Sequence, residues 1–318
     1  MEAGAVSTDT SAREVSAVIV NWKSYELVID CVMTLRARTH KMRCEVIVVD
    51  NSQDDGGRKL WRTALGNGVE WIFNSANAGF AAACNQGLGR ARCRYLLLLN
   101  PDAVVHEATV DAMAALLDVH ADVAAIGAQL LNSDGTPQPS AYRLYPGLLR
   151  AFLDLTGLRY AWLFIGRSRG ATADRDPHGL RPTAWLKGAC LMIRREAYEA
   201  VGPLDEGFFL FGEDVDWCFR ARQAGWQVVL APDCLVTHIG ERSLMMDREA
   251  GISAYYRSYL RFILKHQGGG PFGLRTAAAR LLLKLGAATR LAALAASSLV
   301  RPGRRSDAHA YWRYLTAR

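Results

Sequence analysis

Short apolar runs alternate with stretches of helical spacing through the first 131 residues. The runs have the length of strands covered on both faces, and the stretches between them repeat apolar residues every three or four positions. In chain order the expected strands are 15–20, 45–49, 69–74, 95–102 (closing in a three-residue turn) and 123–131, and the expected helices are 25–37, 58–65, 79–92 and 109–120. This alternation predicts an α/β fold built on a mostly parallel sheet with right-handed crossovers.

The periodic pattern is lost between residues 132 and 182, where Gly, Pro, Arg and Tyr are scattered. A long, partly mobile excursion is expected there, of the kind that often carries function. Regular spacing returns with a strand at 184–194, a short helix at 196–201, a helix at 213–224 and short strands at 227–231 and 235–237. The helix at 213–224 has acids in its first turn and Gly225 just beyond its end, as helix dipole and C-cap preferences favour.

The last part of the chain predicts two basic helices, 255–266 and 274–300, separated by a glycine-rich break. The second is long enough to cross a bilayer, but Arg280, Lys284 and Arg290 interrupt it, so an amphipathic helix at the membrane surface is the better interpretation. A helical hairpin against the core and a contact in a homo-oligomer remain open alternatives.

Charge is distributed unevenly along the chain. Residues 241–318 contain 14 Lys and Arg against 4 Asp and Glu, a net charge of +10, whereas the first 240 residues contain 24 against 27. A basic tail indicates an anionic partner, which could be nucleic acid or membrane lipid. The Leu and Ala content of the tail suits lipid better, so we expect no nucleic-acid partner.

The ends of the chain and its cysteines indicate a cytoplasmic protein. Residues 1–14 are small and polar, which predicts a disordered lead-in and no secretory signal. The seven cysteines form no CxxC pair and mostly lie in apolar runs, so we expect reduced, buried thiols.

Acidic residues follow three of the apolar segments: Asp50, Asp102 and the cluster of Glu213, Asp214 and Asp216. Carboxyl ends of parallel strands meet at one edge of a sheet, where open α/β folds bind ligands. Each acid also has a structural explanation, because Asp50 and Asp102 can close Asx-type turns and Asp214 can cap a helix. Three acids in one helical turn exceed what capping alone requires.

One chemistry uses acids placed in this way. Transfer from a nucleotide-sugar needs a carboxylate for the base or ribose, one for a divalent cation on the diphosphate, and one to take a proton from the attacking hydroxyl. The sequence has no Walker sequence, GxGxxG or Ser-His-Asp arrangement that would indicate another chemistry.

The order of motifs over residues 15–245 resembles family 2 glycosyltransferases with the GT-A fold. The closest subgroup is similar to bacterial rhamnosyltransferases that act on polyprenyl-diphosphate-linked saccharides of the cell surface. The residues that carry the resemblance are VIVNW (18–22), VVDNS (48–52), NAGFAAACNQG (77–87), LLNPD (98–102), GACLMIRR (188–195), DEGFFLFGEDVD (205–216) and HIG (238–240).

The resemblance implies a fold and a domain plan. The fold would be a Rossmann-like, mostly parallel central sheet flanked by helices, with a helical C-terminal extension. Residues 15–250 would form the catalytic domain, with 132–182 on the acceptor side, and residues 251–318 would form a basic amphipathic tail.

The resemblance also implies site residues and cofactors. Asp50 would bind the base and ribose, Asp102 would be the last acid of a metal motif whose first acid is here Asn100, and His238 would be a second metal ligand. The cation would be Mg²⁺ or Mn²⁺. The full donor set would be Asn21, Asp50, Asn51, Asn77, Gly79, Asn85, Asn100 and Asp102.

The catalytic base would be Asp214, with Glu213 beside it, and the acceptor side would contain Trp185, Lys187 and Phe211. The expected reaction is inverting transfer of a sugar, with L-rhamnose from dTDP-rhamnose as the first choice, to a lipid-linked saccharide at the inner face of the plasma membrane. The alternatives are another UDP- or GDP-sugar donor, or a non-catalytic nucleotide-sugar-binding scaffold.

Overall fold

A nine-stranded mixed sheet forms the centre of the protein. The computed structural model describes residues 14–156, 179–240, 248–268, 270, 273–298 and 305–316. The strands are β1 (Val15–Asn21), β2 (Cys44–Asp50), β3 (Glu70–Phe73), β4 (Tyr95–Leu99), β5 (Ala103–Val105), β6 (Val123–Leu131), β7 (Ala141–Tyr142), β8 (Arg181–Pro182), β9 (Trp185–Leu186), β10 (Cys190–Arg194) and β11 (Gln227–His238). Their order is β3-β2-β1-β4-β10-β6-β11-β5, with β8 beside β11, while β7 and β9 form a separate pair.

Ten α-helices flank these strands in the described residues. They are α1 (Tyr25–Arg38), α2 (Asp55–Leu65), α3 (Phe80–Arg90), α4 (Thr109–Val119), α5 (Leu148–Thr156), α6 (Arg195–Val201), α7 (Glu213–Gln223), α8 (Arg248–His266), α9 (Leu274–Ser298) and α10 (Arg305–Thr316). Apolar side chains alternate between the two faces of the sheet, so that Val15, Ala17 and Ile19 pack on one side and Val18 and Val20 on the other. The mostly parallel α/β sandwich that the sequence predicts is confirmed.

The parallel register of the first strands brings their ends together. Asn21 of β1 is opposite Asp50 of β2, and Ile19 of β1 is opposite Leu99 of β4. The polar residues that end β1, β2 and β4 therefore lie at one edge of the sheet.

Near this edge, three expected strands differ from the structure, and one strand was not expected. The strand expected at 184–194 is two strands, β9 and β10, separated by a turn at 187–189, and β10 runs antiparallel between β4 and β6. The two strands expected at 227–231 and 235–237 are one bulged strand, β11. Strand β5 was not expected; it pairs antiparallel with β11, with Ala103 opposite His238.

The region 132–182 contains regular structure where a loop was expected. Strand β7 pairs with β9, helix α5 follows, and β8 pairs with β11. The remainder of the expected mobile segment, residues 157–178, and the expected lead-in up to residue 13 lie outside the described residues.

The C-terminal helices pack on the sheet and on α5. The expected domain boundary after residue 250 falls inside α8, and Phe262 of α8 packs in the same core as the sheet. Helices α8 and α9 share a further core with α5, which includes Tyr259, Ala279 and Leu283. None of the helices in the described part of the chain has the length and apolarity needed to span a bilayer.

Candidate active site

Asp50 is the centre of a polar network at the ends of β1 and β2. Asn21 Nδ2 donates to Asp50 Oδ1 at 3.0 Å and to Ser52 Oγ at 2.9 Å. The Ser52 N–H donates to Asp50 Oδ1 at 3.0 Å, which is the local turn geometry of an Asx turn. The carboxylate of Asp50 is fully buried, so the network holds it in one orientation.

Arg58 completes this network, and no sequence motif pointed to it. Its Nε donates to Asp50 Oδ2 at 3.1 Å, and its guanidinium lies 4.4 Å above the ring of Phe73. A planar guanidinium that is both ion-paired and stacked is held in place by two independent contacts. Arg58 comes from α2 and Phe73 from β3, so only the fold brings them to Asp50.

Asn51 and Gly79 connect the β2 end to the start of α3. Asn51 Nδ2 donates to the Gly79 carbonyl at 3.2 Å. Gly79 has φ 87°, and a Cβ there would lie 2.7 Å from Phe209, so a side chain would be strained and crowded. The Phe80 N–H donates to the Phe209 carbonyl at 2.7 Å, which fixes this turn against the loop before α7.

The two asparagines of the 77–87 motif, Asn77 and Asn85, make hydrogen bonds to the backbone of neighbouring loops. Asn77 is exposed, and its Oδ1 accepts the Gly79 N–H at 3.0 Å, so it closes the turn. Asn85 Nδ2 donates to the Leu204 carbonyl at 2.9 Å, and its Oδ1 accepts the Leu204 N–H at 3.1 Å. Both ends of the Asn85 amide therefore anchor the loop before α7, and the expectation that Asn85 lines the donor pocket stays a prediction.

Asp102 and His238 lie side by side where β5 meets the end of β11. His238 Nε2 lies 3.4 Å from Asp102 Oδ1 and 3.2 Å from Asn100 Nδ2. Burial alone would raise the pKa of Asp102, but the neighbouring His238 imidazole and a hydrogen bond from the Gly240 N–H hold it below its usual value. Asp102 is thus a buried carboxylate, a hard oxygen ligand next to an imidazole nitrogen.

Gln138 sets the orientation of the His238 ring. The Gln138 side-chain NH₂ donates to Asn132 Oδ1 and to the His238 carbonyl, so its Oε1 is the acceptor that faces His238 Nδ1 at 2.9 Å. This network assigns the ring proton to Nδ1 and leaves the Nε2 lone pair directed toward Asp102 and Asn100. Gln138 belongs to the region expected to be a loop, and nothing in its sequence context indicated this role.

These residues fit a shared cation site. Among the described residues, no group of three or more His, Cys, Asp or Glu side chains is placed to hold a metal. Asp102 and His238 would supply two ligands, which would suit an ion that completes its shell with water and substrate phosphate, as Mg²⁺ does. Asn100 keeps its amide against the imidazole and adds no charge to the site.

Asp214 is held at the start of α7 by two backbone groups. The Gly188 N–H donates to its Oδ2 at 2.9 Å, and the Val215 N–H donates to its Oδ1 at 2.7 Å. Burial raises the pKa of Asp214 in spite of these bonds. Each carboxylate oxygen keeps a second lone pair, so Asp214 can still accept a proton from a substrate hydroxyl.

Glu213, the neighbour of Asp214, has a buried carboxyl oxygen, Oε2, without a hydrogen-bond partner. Burial, and then the negative charge of Asp214, raise the pKa of Glu213 well above its usual value. Since the folded protein then binds a proton that the unfolded chain releases, stability is lost as the pH rises above about 4.3, the ordinary pKa of Glu.

Replacing Glu213 with Gln removes this proton uptake. We expect Glu213→Gln to raise the melting temperature near pH 7 by about 2–4 °C, equivalent to about 1 kcal/mol, with a gain that disappears as the pH falls to about 4. Thermal unfolding from pH 4 to pH 8 measures this, with the exposed Glu196→Gln as control. A gain independent of pH would contradict the raised pKa.

The turn at 187–189 connects the surroundings of Asp102 with those of Asp214. Ala189 accepts the Asn100 N–H at 2.9 Å, and the neighbouring Gly188 N–H is the donor to Asp214. Lys187 Nζ donates to Gln138 Oε1 at 3.3 Å, and its positive charge acts on Asp214 to lower its pKa. One short turn therefore brings the cationic Lys187 between the two acidic positions.

The two aromatic residues expected on the acceptor side lie in different environments. Trp185 is 7% exposed, its ring stacks on Tyr142 at 3.9 Å, and its Nε1 donates to the Leu144 carbonyl. Its ring therefore packs inside the protein, and the expectation that Trp185 lies on the acceptor side stays a prediction. Phe211 is half-buried with φ 66°, a strained conformation that clusters at functional sites, and it lies directly before the N-cap Gly212 of α7.

Comparison with known proteins gives a consistent picture. The chain matches the glycosyltransferase-like family 2 over residues 12–256. It is 29% identical over 240 residues to the N-acetylglucosaminyl-diphospho-decaprenol L-rhamnosyltransferase of Mycobacterium tuberculosis, covering 70% of this chain and 76% of that protein. It is 26% identical over 220 residues to the low-salt glycan biosynthesis hexosyltransferase Agl10 of Haloferax volcanii, covering 67% of this chain and 63% of the relative.

Two solved structures share the fold. The mannosyltransferase PcManGT of Pyrobaculum calidifontis, in complex with GDP-Man and Mn²⁺, gives a TM-score of 0.56 at 17% identity, covering 96% of this chain and 86% of that one. GalNAc-T7 with UDP, GalNAc and Mn²⁺ gives a TM-score of 0.53 at 17% identity, covering 72% of this chain and 44% of that one. Both have the GT-A architecture that the sequence resemblance implies, and the family match spans most of the chain. The chain therefore belongs to glycosyltransferase-like family 2 and is a glycosyltransferase of the GT-A fold.

Proposed function

We propose that the protein transfers L-rhamnose from dTDP-rhamnose to a lipid-linked saccharide with inversion at the anomeric carbon. The observation that carries the proposal is the 29% identity over 240 residues to a rhamnosyltransferase whose name specifies a diphospho-decaprenol-linked acceptor. The clustering of Asp214, Lys187, Asp102 and His238 around one turn supports it, because a transferase needs a base for the acceptor hydroxyl and positive charge for the diphosphate leaving group.

In this proposal Asp214 is the general base. Its two backbone hydrogen bonds fix the carboxylate, and its raised pKa increases its proton affinity at the moment of attack. Inverting transfer requires one in-line displacement, in which the acceptor oxygen forms the new bond to the anomeric carbon while the nucleoside diphosphate leaves. The acceptor hydroxyl proton passes to Asp214, and no protein nucleophile is used.

The proposed roles of the remaining polar residues follow from their positions. Asp50, oriented by Asn21 and Arg58, binds the base and ribose at the β2 end. Asp102 and His238 would hold Mg²⁺ or Mn²⁺, which when bound neutralises charge on the diphosphate leaving group. Lys187 adds a fixed positive charge close to both acidic positions.

A donor screen tests the proposed specificity. Purified protein is incubated with a lipid-linked saccharide and dTDP-rhamnose, UDP-sugars or GDP-sugars in Mg²⁺ or Mn²⁺, and product is measured by mass spectrometry. We expect the highest kcat/KM with dTDP-rhamnose. Faster transfer from a UDP- or GDP-sugar would overturn the choice of rhamnose, and donor binding without any transfer would indicate a scaffold.

We also propose that α9 contacts an anionic membrane surface. Leu274, Leu281 and Leu285 lie on one stripe of the helix and are exposed, while Arg280 and Lys284 border the stripe. An exposed apolar stripe bordered by cations matches a helix that lies in a lipid headgroup layer. The opposite face of α9 packs on α5, so the helix presents this stripe from a fixed position.

Vesicle sedimentation tests this contact. We expect the double variant Leu281→Ser and Leu285→Ser to bind vesicles containing anionic phospholipid about tenfold or more weakly, since each leucine buries several methylenes at about 0.8 kcal/mol each. Leu60→Ser, at an exposed leucine of α2, is the matched control. Equal sedimentation of the double variant and the wild type would exclude this face.

A further inference from the structure

The outward face of α8 combines cations with leucines in a cleft to which the roles proposed above assign no residue. Three basic residues recur at intervals of four, and two half-buried leucines lie between them along the same face. The cleft is open, with a volume of about 530 Å³, and is lined by Asp205, Arg257, Leu260, Arg261, Leu264 and Lys265.

The charges in this cleft are unevenly compensated. Arg261 and Lys265 donate to the two oxygens of Asp205 at 2.8 Å and 2.7 Å, and Lys265 also reaches Asp216. Arg257 donates only to the carbonyl of Ser253 in its own helix and, within the described residues, has no carboxylate partner. A net positive charge therefore remains at the Arg257 end of the cleft.

The cleft lies next to the loop that leads to the base. Ser258, adjacent to Arg257 in sequence, donates from Oγ to the Leu210 carbonyl at 3.0 Å. A Cβ on Gly212 would lie 3.3 Å from Ser258 Cβ, so α8 passes directly against the residue that precedes α7. A ligand at Arg257 would therefore lie close to the start of the helix that carries Asp214.

The side chains that line the cleft suit a ligand with an anionic group and a hydrocarbon chain. Guanidinium groups bind phosphate oxygens through paired N–H donors, and the leucines provide apolar surface for a hydrocarbon chain beside them. Nucleic acid would be expected to use aromatic stacking, and none of the described side chains that line the cleft is aromatic. We propose that the α8 cleft binds the diphosphate and the first chain carbons of the lipid-linked acceptor, which rests on the proposed function.

A binding experiment tests the site without requiring transfer. Farnesyl diphosphate is titrated into the full-length protein by calorimetry, with inorganic pyrophosphate as the probe without a chain. We expect farnesyl diphosphate to bind more tightly than pyrophosphate, and Arg257→Ala to weaken farnesyl diphosphate binding about tenfold, as loss of one charge-assisted contact implies. Arg275→Ala, at an exposed arginine of α9, should bind as the wild type does. Absence of binding to the wild type, or equal binding by Arg257→Ala, would overturn the proposal.

Kinetics separate this site from the reaction itself. Arg257→Ala should raise the KM for a diphospholipid-linked saccharide about tenfold while kcat and the donor KM are unchanged, and should not affect the same saccharide on a neutral alkyl chain. An equal loss with the neutral acceptor, or a loss confined to anionic phospholipid vesicles, would overturn the proposal. Farnesyl diphosphate binding at Arg257 without transfer to any lipid-linked acceptor would keep the site and reject the proposed function.

Discussion

Asp214→Asn is expected to lower kcat by about 10²–10⁴-fold and to leave donor binding unchanged. General-base catalysis contributes about this factor, and an amide cannot accept the proton of the acceptor hydroxyl. In the proposed function the donor binds at the β2 end and at Asp102, whereas Asp214 is held by the Gly188 and Val215 N–H groups. The effect should therefore fall on turnover rather than on the KM for the donor.

The pH dependence gives a second readout for the same variant. Because burial raises the pKa of Asp214, the acid limb of kcat/KM in the wild type should lie above the ordinary Asp value of about 3.9. Asp214→Asn should lose this limb along with most of the rate.

The amide that replaces the carboxylate in this variant would also turn its NH₂ group toward one of the two backbone donors, at a cost of about 1–3 kcal/mol in stability. Thermal unfolding and calorimetric donor binding must accompany the kinetics for this reason. Asp134→Asn, at an exposed acid in a turn, is the matched control. A folded Asp214→Asn variant with the wild-type rate would exclude Asp214 as the base.

The positions of the acidic residues could be predicted from the sequence, because the pattern of apolar residues next to them determines where they lie in the fold. Asp50 and Asp102 follow buried apolar strands, and such strands in a parallel sheet deliver their last residues to one edge. The two ends of α7 could be predicted in the same way, since acids in the first turn of an amphipathic stretch and a glycine after it mark the ends of a helix. These features depend on neighbours within about ten residues in the chain.

The residues that contact these acids in the fold could not be predicted in the same way. Gln138 contacts His238 across 100 residues, and Arg58 needs Phe73 from another element to be positioned at Asp50. Strand β5 has only three residues, and its pairing with β11 is what places Asp102 beside His238. Long-range pairing of this kind has no local periodicity to indicate it.

The same limit applies to Asn85 and Trp185, whose predicted roles depend on residues far away in the chain. Asn85 belongs to the 77–87 motif and Trp185 lies just before the 188–195 motif, and the chemistry of both residues suits substrate contact as well as packing. The fold assigns Asn85 to the loop at Leu204 and stacks Trp185 on Tyr142. Residue type restricts a role to a few alternatives, and the distance to a partner decides among them.

His238→Ala is expected to weaken the apparent affinity for Mn²⁺ or Mg²⁺ by about 10–100-fold, with the rate partly restored at high metal concentration. Even the removal of groups that only support a ligand typically costs this much, and His238 is one of two ligand-type side chains in the site. With Asn100 in place of an acid, the proposed site would contribute a single carboxylate, Asp102, so the imidazole would carry a larger share of the metal binding.

Two further variants separate ligation from structure. Gln138→Met removes the acceptor that fixes the His238 ring and should weaken metal affinity in the same direction, by about tenfold. His106→Ala is the control, because His106 also lies against β11, where its Nε2 is 2.8 Å from Thr237 Oγ1, but it does not reach Asp102. Metal titrations of the transfer rate, with nucleotide binding followed separately, measure all three. An unchanged metal requirement in His238→Ala would mean that Asp102 and substrate phosphate hold the cation without the imidazole.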